Sequence, residues 1–388
     1  MDYGKTQKST SKFIQEKLVM NKKYILVDGM MRSGTTLMMS LFDNTPSCLA
    51  LPFEDGLLRG ISHNQKEFNK AFQQKDFCHL RNCLSYTKYW VLEKRSDKEL
   101  FSFKIPKEQA EGINFNFRNF DEDFKNRMNQ LDQWNIYNFV DVFLLTVSEH
   151  INLLPNFEDT SHIFMKTPGS TPAIPLFLDA FKNASVIYII RDPRASYASS
   201  KNYYNQNSNS KIEDIPLQYL IQWQNNVKLI HNLQKKYKER IKIVQYEKLV
   251  SNTEEVMKDV SEFLNLQYDD RLCKPTLFGC DWSGYSSHTN QQQGVDRKAI
   301  DRWKTSYNDL TRNVMCVFID PNIRNIYGYH PEGKIVNNLA SMKAVAKVIL
   351  LRYLYSYLYV NFINVKAYFG NSIHKLLHQL KNKYLINL

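Results

Sequence analysis

The chain has 388 residues, a length that fits one large domain or two small ones. Hydrophobic residues make up 43% of it and Tyr and Phe number 23 each, which excludes a disordered chain. The net charge of +12 favours anionic ligands or an acidic surface, but no motif that recognises DNA or RNA is visible, so we expect no nucleic-acid partner.

The six cysteines are scattered, with no CxxC pair and no Cys/His zinc spacing. This pattern favours a reducing compartment and predicts no metal site. Residues 1–22 are polar and lysine-rich, and we interpret them as an N-terminal tail without a signal peptide or a membrane anchor. Together these features predict a cytoplasmic protein.

The first predicted element is a strand–loop–helix unit. Residues 24–27 form an apolar, β-favouring run, and residues 37–42 carry apolar side chains at helical spacing. The GMMRSGTT loop between them matches a P-loop, except that Thr35 replaces the lysine that reaches the β- and γ-phosphates, while Arg32 supplies a cation. An uncommitted Gly/Ser turn is the alternative. Because a helix N terminus suits a phosphate, we predict an anion site at Arg32, Ser33, Gly34, Thr35 and Thr36.

A loop with Pro46, Pro52 and Gly56 follows this helix and carries Glu54 and Asp55. Residues 60–150 are mostly helical in pattern and rich in aromatic side chains. Such an insertion beside a nucleotide site forms a lid or an acceptor pocket, although any single aromatic residue fits the core equally well.

Two further predicted strands end in cations. Residues 162–165 read as a short strand with Lys166 at its carboxyl end, followed by a helix at 172–181. Residues 186–190 form an apolar run that ends at Arg191, where Asp192 is a natural N-cap for a helix that carries Ser199. Since ligands of open α/β sheets bind outside the carboxyl ends of the strands, both cations are placed as site residues.

The repeated strand–helix order predicts an α/β fold. We expect a three-layer, P-loop-like domain with a mostly parallel central sheet over residues 23–330, with the helical insertion at 60–150. Residues 241–250 are its next predicted strand, with Tyr246 near the carboxyl end, and the segment at 273–300 is loop-like. Ser251 and Glu254 have the spacing of a capping box for the following helix.

Residues 331–388 are predicted to form a C-terminal helical extension. Its apolar stretch at 339–370 is interrupted by charged residues, so its longest uncharged run is too short to span a bilayer. We expect this stretch to pack on the domain or to form a homodimer, and peripheral membrane contact is the alternative.

Two motifs together resemble those of sulfotransferases that use 3′-phosphoadenosine 5′-phosphosulfate. RSGTTLM at 32–38 resembles the 5′-phosphosulfate loop of that family, and IIRDPRASYASS at 189–200 resembles its 3′-phosphate motif. The tyrosylprotein branch and bacterial relatives are most similar, since they share a Y-E-x-L segment at 246–249 and an A-x-x-[KR]-W segment at 299–303. The resemblance covers roughly residues 22–330.

The resemblance implies roles for individual residues. It places the 5′-phosphosulfate on residues 32–36 and the 3′-phosphate on Arg191 and Ser199. It also implies that Tyr246, Ser287 and Arg302 complete the nucleotide site.

The catalytic residues implied by the family are Lys166 and Arg32 at the transferring group and Glu54 as the general base. Glu54 is shifted by one residue from the family position, where Phe53 stands, and His63 is the reserve candidate. The implied cofactor is 3′-phosphoadenosine 5′-phosphosulfate, which leaves as 3′-phosphoadenosine 5′-phosphate, without a metal.

The sequence therefore predicts an enzyme that transfers a sulfuryl group to a hydroxyl of a glycan, a lipid or a small molecule. A protein tyrosine is the alternative acceptor. Two other classes stay open, namely a P-loop nucleotide kinase or NTPase and a non-catalytic, membrane-associated nucleotide-binding protein.

Overall fold

The computed structural model describes residues 22–84, 115–207, 217–282, 294–307 and 309–330. The chain divides into two compact units, the first made of residues 1–202 and 225–303 and the second of residues 203–224 and 304–388. The predicted tail up to residue 21 and the predicted extension at 331–388 lie outside the described residues, so the proposed domain limits stay predictions.

A parallel sheet forms the centre of the first unit. Its strands are β1 (Lys23–Gly29), β2 (Cys48–Ala50), β3 (His162–Lys166), β4 (Ser185–Ile190) and β5 (Ile241–Gln245). They are arranged in the order β2-β3-β1-β4-β5, and each neighbouring pair is parallel.

The apolar character of the central strands explains their position. β3 and β4 are buried along their whole length, as expected for parallel strands with helices on both faces. In the middle of the sheet Val27 pairs with Lys166 on one side and with Ile187 on the other. The predicted α/β class with a parallel sheet is confirmed.

The predicted strand–loop–helix unit is also confirmed, with α1 (Thr35–Phe42) following β1. Gly34 has φ +103°, and a Cβ atom there would lie 2.3 Å from Cδ2 of Tyr246. Only glycine fits this position without strain, because the backbone is left-handed and the tyrosine ring occupies the space of a side chain.

The described part of the predicted insertion is helical. It contains α2 (Leu57–His63), α3 (Gln65–Gln74), α4 (Phe77–Cys83), α5 (Phe117–Asn129) and α6 (Ile136–His150). Rings of α3, α5 and α6 pack edge-on or tilted against one another, for example Phe68 and Phe124 on Phe139. These aromatic side chains are fully buried and form core.

The remaining helices connect the later strands or follow the last of them. They are α7 (Ile174–Ala180), α8 (Pro193–Asn207), α9 (Leu217–Tyr237), α10 (Tyr246–Ser251), α11 (Thr253–Leu264), α12 (Asp309–Phe318) and α13 (Pro321–Tyr327). A two-stranded hairpin is formed by β6 (Thr276–Leu277) and β7 (Cys280–Asp281). Short 3-10 turns lie at Phe157–Asp159, Thr171–Ala173, Lys238–Arg240, Asp270–Cys273, Arg297–Ile300 and Arg302–Thr305.

Four local predictions are wrong. The segment at 273–300, predicted to be loop, contains the hairpin of β6 and β7, whose two-residue strands are too short to show a pattern. The loop at 44–56 contains β2, whose three residues are too few to show an alternation. The strand predicted at 241–250 ends at Gln245, because the buried residues that follow recur at helical spacing in α10. The capping box fails because Ser251 ends α10, while Asn252 stands at the N-cap of α11.

The apolar stretch at 339–370 lies outside the described residues. Within the described ranges, no helix combines the length and the apolar character that crossing a bilayer requires.

Candidate active site

The carboxyl edge of the sheet collects the predicted site residues from distant parts of the chain. Glu54 follows β2, Lys166 ends β3 and residues 30–34 follow β1. On the other side of β1, Arg191 follows β4 and Tyr246 follows β5. Because all five strands are parallel, these residues share one edge of the sheet, where α/β proteins bind their ligands.

Lys166 links the phosphate loop to the predicted base. Its buried Nζ donates a hydrogen bond of 2.9 Å to Oγ1 of Thr36, and it lies 4.0 Å from Oε1 of Glu54. The side chain of Glu54 is 57% exposed, so a ligand can reach it. Burial lowers the pKa of Lys166, while the carboxylates of Glu54 and Asp55 favour its charged form.

Arg32 joins the two predicted phosphate-binding motifs. Its Nε donates to Oγ of Ser199 over 3.0 Å, and its backbone carbonyl accepts a hydrogen bond of 2.9 Å from Nη1 of Arg191. Arg32 has φ +66°, a left-handed conformation that costs a non-glycine residue roughly 1–2 kcal/mol. Strain of this kind clusters at ligand sites, where the surrounding contacts hold it.

Arg191 holds four elements together. Besides Arg32, its guanidinium lies 4.2 Å from the centroid of the Tyr246 ring and donates to the carbonyl of Ala299 over 3.0 Å. The segment around Ala299 also contains Arg302, which pairs with Asp296. The structure thus brings Arg191, Tyr246 and this late segment to one place, while Ser287 lies outside the described residues.

The start of α1 offers donors for an anion. No side chain of the described residues caps its N terminus. The hydroxyl of Ser33 is buried and has no hydrogen-bond partner among the described residues. Since free N–H groups and a buried hydroxyl call for an acceptor, residues 32–36 fit a phosphate or sulfate group.

A family model described as the sulfotransferase family matches residues 25–270, which is more than half of the chain. The chain belongs to the sulfotransferase family. The predicted family and the predicted transferase class are confirmed by this match. A comparison of the sulfotransferase sequence with curated proteins gave no match.

Solved structures share a weaker likeness with this sulfotransferase. The sulfotransferase domain of the Synechococcus PCC 7002 olefin synthase is 16% identical, with 73% of this chain and 88% of that chain covered and a TM-score of 0.39. A sulfotransferase domain from the curacin biosynthetic pathway is 15% identical, with 74% and 92% covered and a TM-score of 0.41. Retinol dehydratase, solved with retinol and PAP, is 14% identical, with 82% and 86% covered and a TM-score of 0.36. Likenesses this weak carry no argument, so the assignment rests on the family model.

Sequence reasoning missed a buried support of the sulfotransferase site. Arg194 pairs with Asp192 over 2.6 Å and lies 4.2 Å from the centroid of the Trp303 ring. Glu247 accepts a hydrogen bond of 3.0 Å from the backbone N–H of Asp192. This network ties the start of α8 to α10 and to the late segment that carries Arg302. The second arginine of the RDPR motif, Arg194, is the sequence feature that could have indicated this network.

His63, the reserve base, lies exposed on α2. Its Nδ1 is 2.7 Å from the carbonyl oxygen of Arg59, one turn earlier in the same helix. The side chain placed beside Lys166 is that of Glu54.

Proposed function

We propose that this sulfotransferase moves the sulfuryl group of 3′-phosphoadenosine 5′-phosphosulfate to a hydroxyl of a glycan, a lipid or a small molecule. The observation that carries the proposal is that Lys166 contacts both Glu54 and Thr36. An exposed carboxylate lies 4.0 Å from a buried ammonium, which donates to the phosphate loop over 2.9 Å. A proton acceptor and a cation thus stand beside the helix start that suits the leaving phosphate.

The residues present fit the donor nucleotide. The N–H groups at the start of α1, with the hydroxyls of Thr35 and Thr36, would hold the 5′-phosphosulfate, and Arg191 and Ser199 would hold the 3′-phosphate. The side chain of Arg32 donates to Ser199 and its backbone carbonyl accepts from Arg191, so Arg32 would add positive charge near the residues assigned to both anionic groups. When bound, the donor supplies an activated sulfuryl group.

Glu54 and Lys166 are the residues that would act on the acceptor and on the transferring group. Glu54 takes the proton of the acceptor hydroxyl, which its exposure allows it to reach. Lys166 and Arg32 stabilise the negative charge that develops on the oxygens of the transferring group. Lys166 does so from a buried position, where a charge acts more strongly than in water.

Calorimetry with 3′,5′-bisphosphoadenosine tests the nucleotide assignment. We expect tight binding to the wild type, much weaker binding of AMP, and an affinity loss of about 10- to 100-fold in Arg191→Ala, because hydrogen bonds to a charged group are lost. Arg271→Ala is a matched control, since Arg271 pairs with Asp269 on the surface. Equal affinities for the bisphosphate and for AMP would refute the 3′-phosphate site.

Transfer assays with labelled donor test the reaction. The acceptor panel contains a glycan, a lipid, a phenol and a tyrosine peptide, so that the alternative protein acceptor is one of the outcomes. Glu54→Gln should lower turnover by about 100-fold or more, as loss of a general base does, and leave the affinity for the bisphosphate unchanged. The control is Glu255→Gln on the exposed face of α11. Full turnover in Glu54→Gln would exclude this residue as the base.

A further inference from the structure

The chain immediately after Lys166 is held by side chains from three other elements. These residues, 166–170, are called the KTPGS segment below. It begins with the last residue of β3 and leads into the short 3-10 turn that precedes α7. Its first residue is Lys166, so whatever fixes the segment also fixes the position of the buried ammonium.

Asp55 holds the beginning of the KTPGS segment. Its Oδ2 accepts the backbone N–H of Lys166 over 3.1 Å, and both carboxylate oxygens lie within 3.2 Å of Oγ1 of Thr167. Its own backbone N–H donates to the carbonyl of Lys166 over 3.3 Å, and Oδ1 also accepts the N–H of Leu57 over 2.9 Å. One carboxylate therefore joins the loop after β2 to the end of β3.

The far end of the segment is fixed by β1 and α2. Oδ1 of Asp28 accepts the N–H of Ser170 over 3.2 Å. Arg59 donates to the carbonyl of Pro168, and its Nε lies 3.4 Å from Oγ of Ser170. The segment is thus held from β1, from the loop after β2 and from α2 at once.

Asp55 is also the residue that follows Glu54. Its side chain is fully buried, although a buried carboxylate destabilises the folded protein unless hydrogen bonds compensate. Three donors from three residues provide that compensation. A carboxylate suits this place because both of its oxygens only accept, whereas an amide would direct its NH₂ group at another donor.

We propose that Asp55 is a positioning residue for sulfuryl transfer, which fixes Glu54 and Lys166 relative to one another, while Asp28 and Arg59 anchor the rest of the KTPGS segment. The role in transfer rests on the proposed function. The Asp55 side chain is fully buried and faces Lys166 and Thr167, so it acts through its neighbours and not by contact with a ligand. The 4.0 Å separation of the Glu54 carboxylate and the Lys166 ammonium is the quantity that it sets.

Acylation of lysine side chains, followed by peptide mass spectrometry, tests the structural half of this inference without requiring turnover. In the wild type, Lys166 should react far more slowly than Lys258, whose side chain is 55% exposed. Asp55→Asn should raise the labelling rate of Lys166 by about 10-fold or more, because the new NH₂ group faces a donor and releases the segment. Thr167→Val removes one donor at nearly constant volume and should give a smaller rise.

The control is Asp141→Asn, a buried carboxyl on α6 that accepts from the hydroxyl of Tyr24. It should leave the labelling rate of Lys166 unchanged. Thermal unfolding of every variant, measured in parallel, ensures that labelling is compared between folded proteins. Unchanged labelling in both Asp55→Asn and Thr167→Val would overturn the proposal.

The transfer assay tests the catalytic half. Asp55→Asn should lower kcat by about 10- to 100-fold, since misplacing catalytic groups by about 1 Å costs this much. The acceptor KM and the dissociation constant of 3′,5′-bisphosphoadenosine should stay within about two-fold, because the side chain of Asp55 is fully buried. A wild type without any transfer activity would refute the proposed function separately, whereas an active wild type with an equally active Asp55→Asn would refute the positioning role.

Discussion

We expect the titration of Asp28 to make the stability of this protein depend on pH, and we expect the substitution Asp28→Asn to remove that dependence. The side chain is fully buried below the phosphate loop, where Oδ1 accepts from Ser170, and Oδ2 has no partner among the described residues. Burial raises its pKa from the ordinary 3.8 to about 7, although backbone hydrogen bonds and the charge of Arg59 act in the opposite direction. The folded protein therefore binds this proton more tightly than the unfolded chain does.

The sign of the effect follows from that difference. Stability falls as the pH rises from the unfolded pKa of 3.8 to the folded pKa of about 7, and this contribution is constant above it. Of the interval from about pH 5 to about pH 8, roughly two pH units lie below the folded pKa. At about 1.36 kcal/mol per unit, the wild type therefore loses about 3 kcal/mol of its free energy of unfolding through the titration of Asp28. Asp28→Asn removes this titration and leaves all other groups in place.

Urea denaturation, followed by tryptophan fluorescence at the two pH values, measures this difference. The free energy of unfolding of Asp28→Asn minus that of the wild type should be larger by about 3 kcal/mol at about pH 8 than at about pH 5, because only the wild type loses stability over this range. Asp259→Asn serves as the control, because that side chain is 64% exposed. The same relative stability of Asp28→Asn at both pH values would refute a desolvated carboxyl at this position.

Two further substitutions test the nucleotide half of the site. Gly34→Ala places a Cβ atom 2.3 Å from Cδ2 of Tyr246 in a left-handed backbone, so calorimetry should show the affinity for 3′,5′-bisphosphoadenosine falling by about 10-fold or more. Unchanged affinity would mean that the loop does not depend on this contact. Trp303→Leu removes the ring that lies 4.2 Å from the Arg194 guanidinium, so the free energy of unfolding should fall by about 2 kcal/mol or more. Arg194→Met in the same background should then cost less than it does alone, and full additivity would argue against the contact.

The sequence predicts those features that follow from local pattern. β1, β3 and β4 are apolar runs, and the residues that end them, among them Lys166 and Arg191, lie at the edge where the topology requires them. The strand β2 escapes prediction because three residues carry no periodicity. The end of β5 was misplaced because alternation and helical spacing overlap in the short run that starts α10.

Local sequence pattern does not predict contacts between side chains that are distant in the sequence. The resemblance assigns Ser199 and Arg191 to the same phosphate, but it gives no sign that the Ser199 hydroxyl accepts a hydrogen bond from Arg32, which comes from another strand–loop–helix unit. Glu54 and Asp55 are adjacent acids that local pattern does not distinguish, and only the family resemblance singles out Glu54. Their roles separate only because the loop after β2 turns Asp55 into the protein and leaves Glu54 exposed.

The strand order separates the proposed site into two halves, one on each side of β1. β2 and β3, on one side of β1, carry Glu54 and Lys166, whereas β4 and β5, on the other side, lead into Arg191 and Tyr246. Under the proposed function, we expect a change of acceptor to require new side chains only on the first side, while the nucleotide half stays constant. Directed evolution towards new acceptors should accordingly draw its libraries from the loop after β2 and from α2, keep Glu54, Asp55 and Arg59, and spare everything beyond β1.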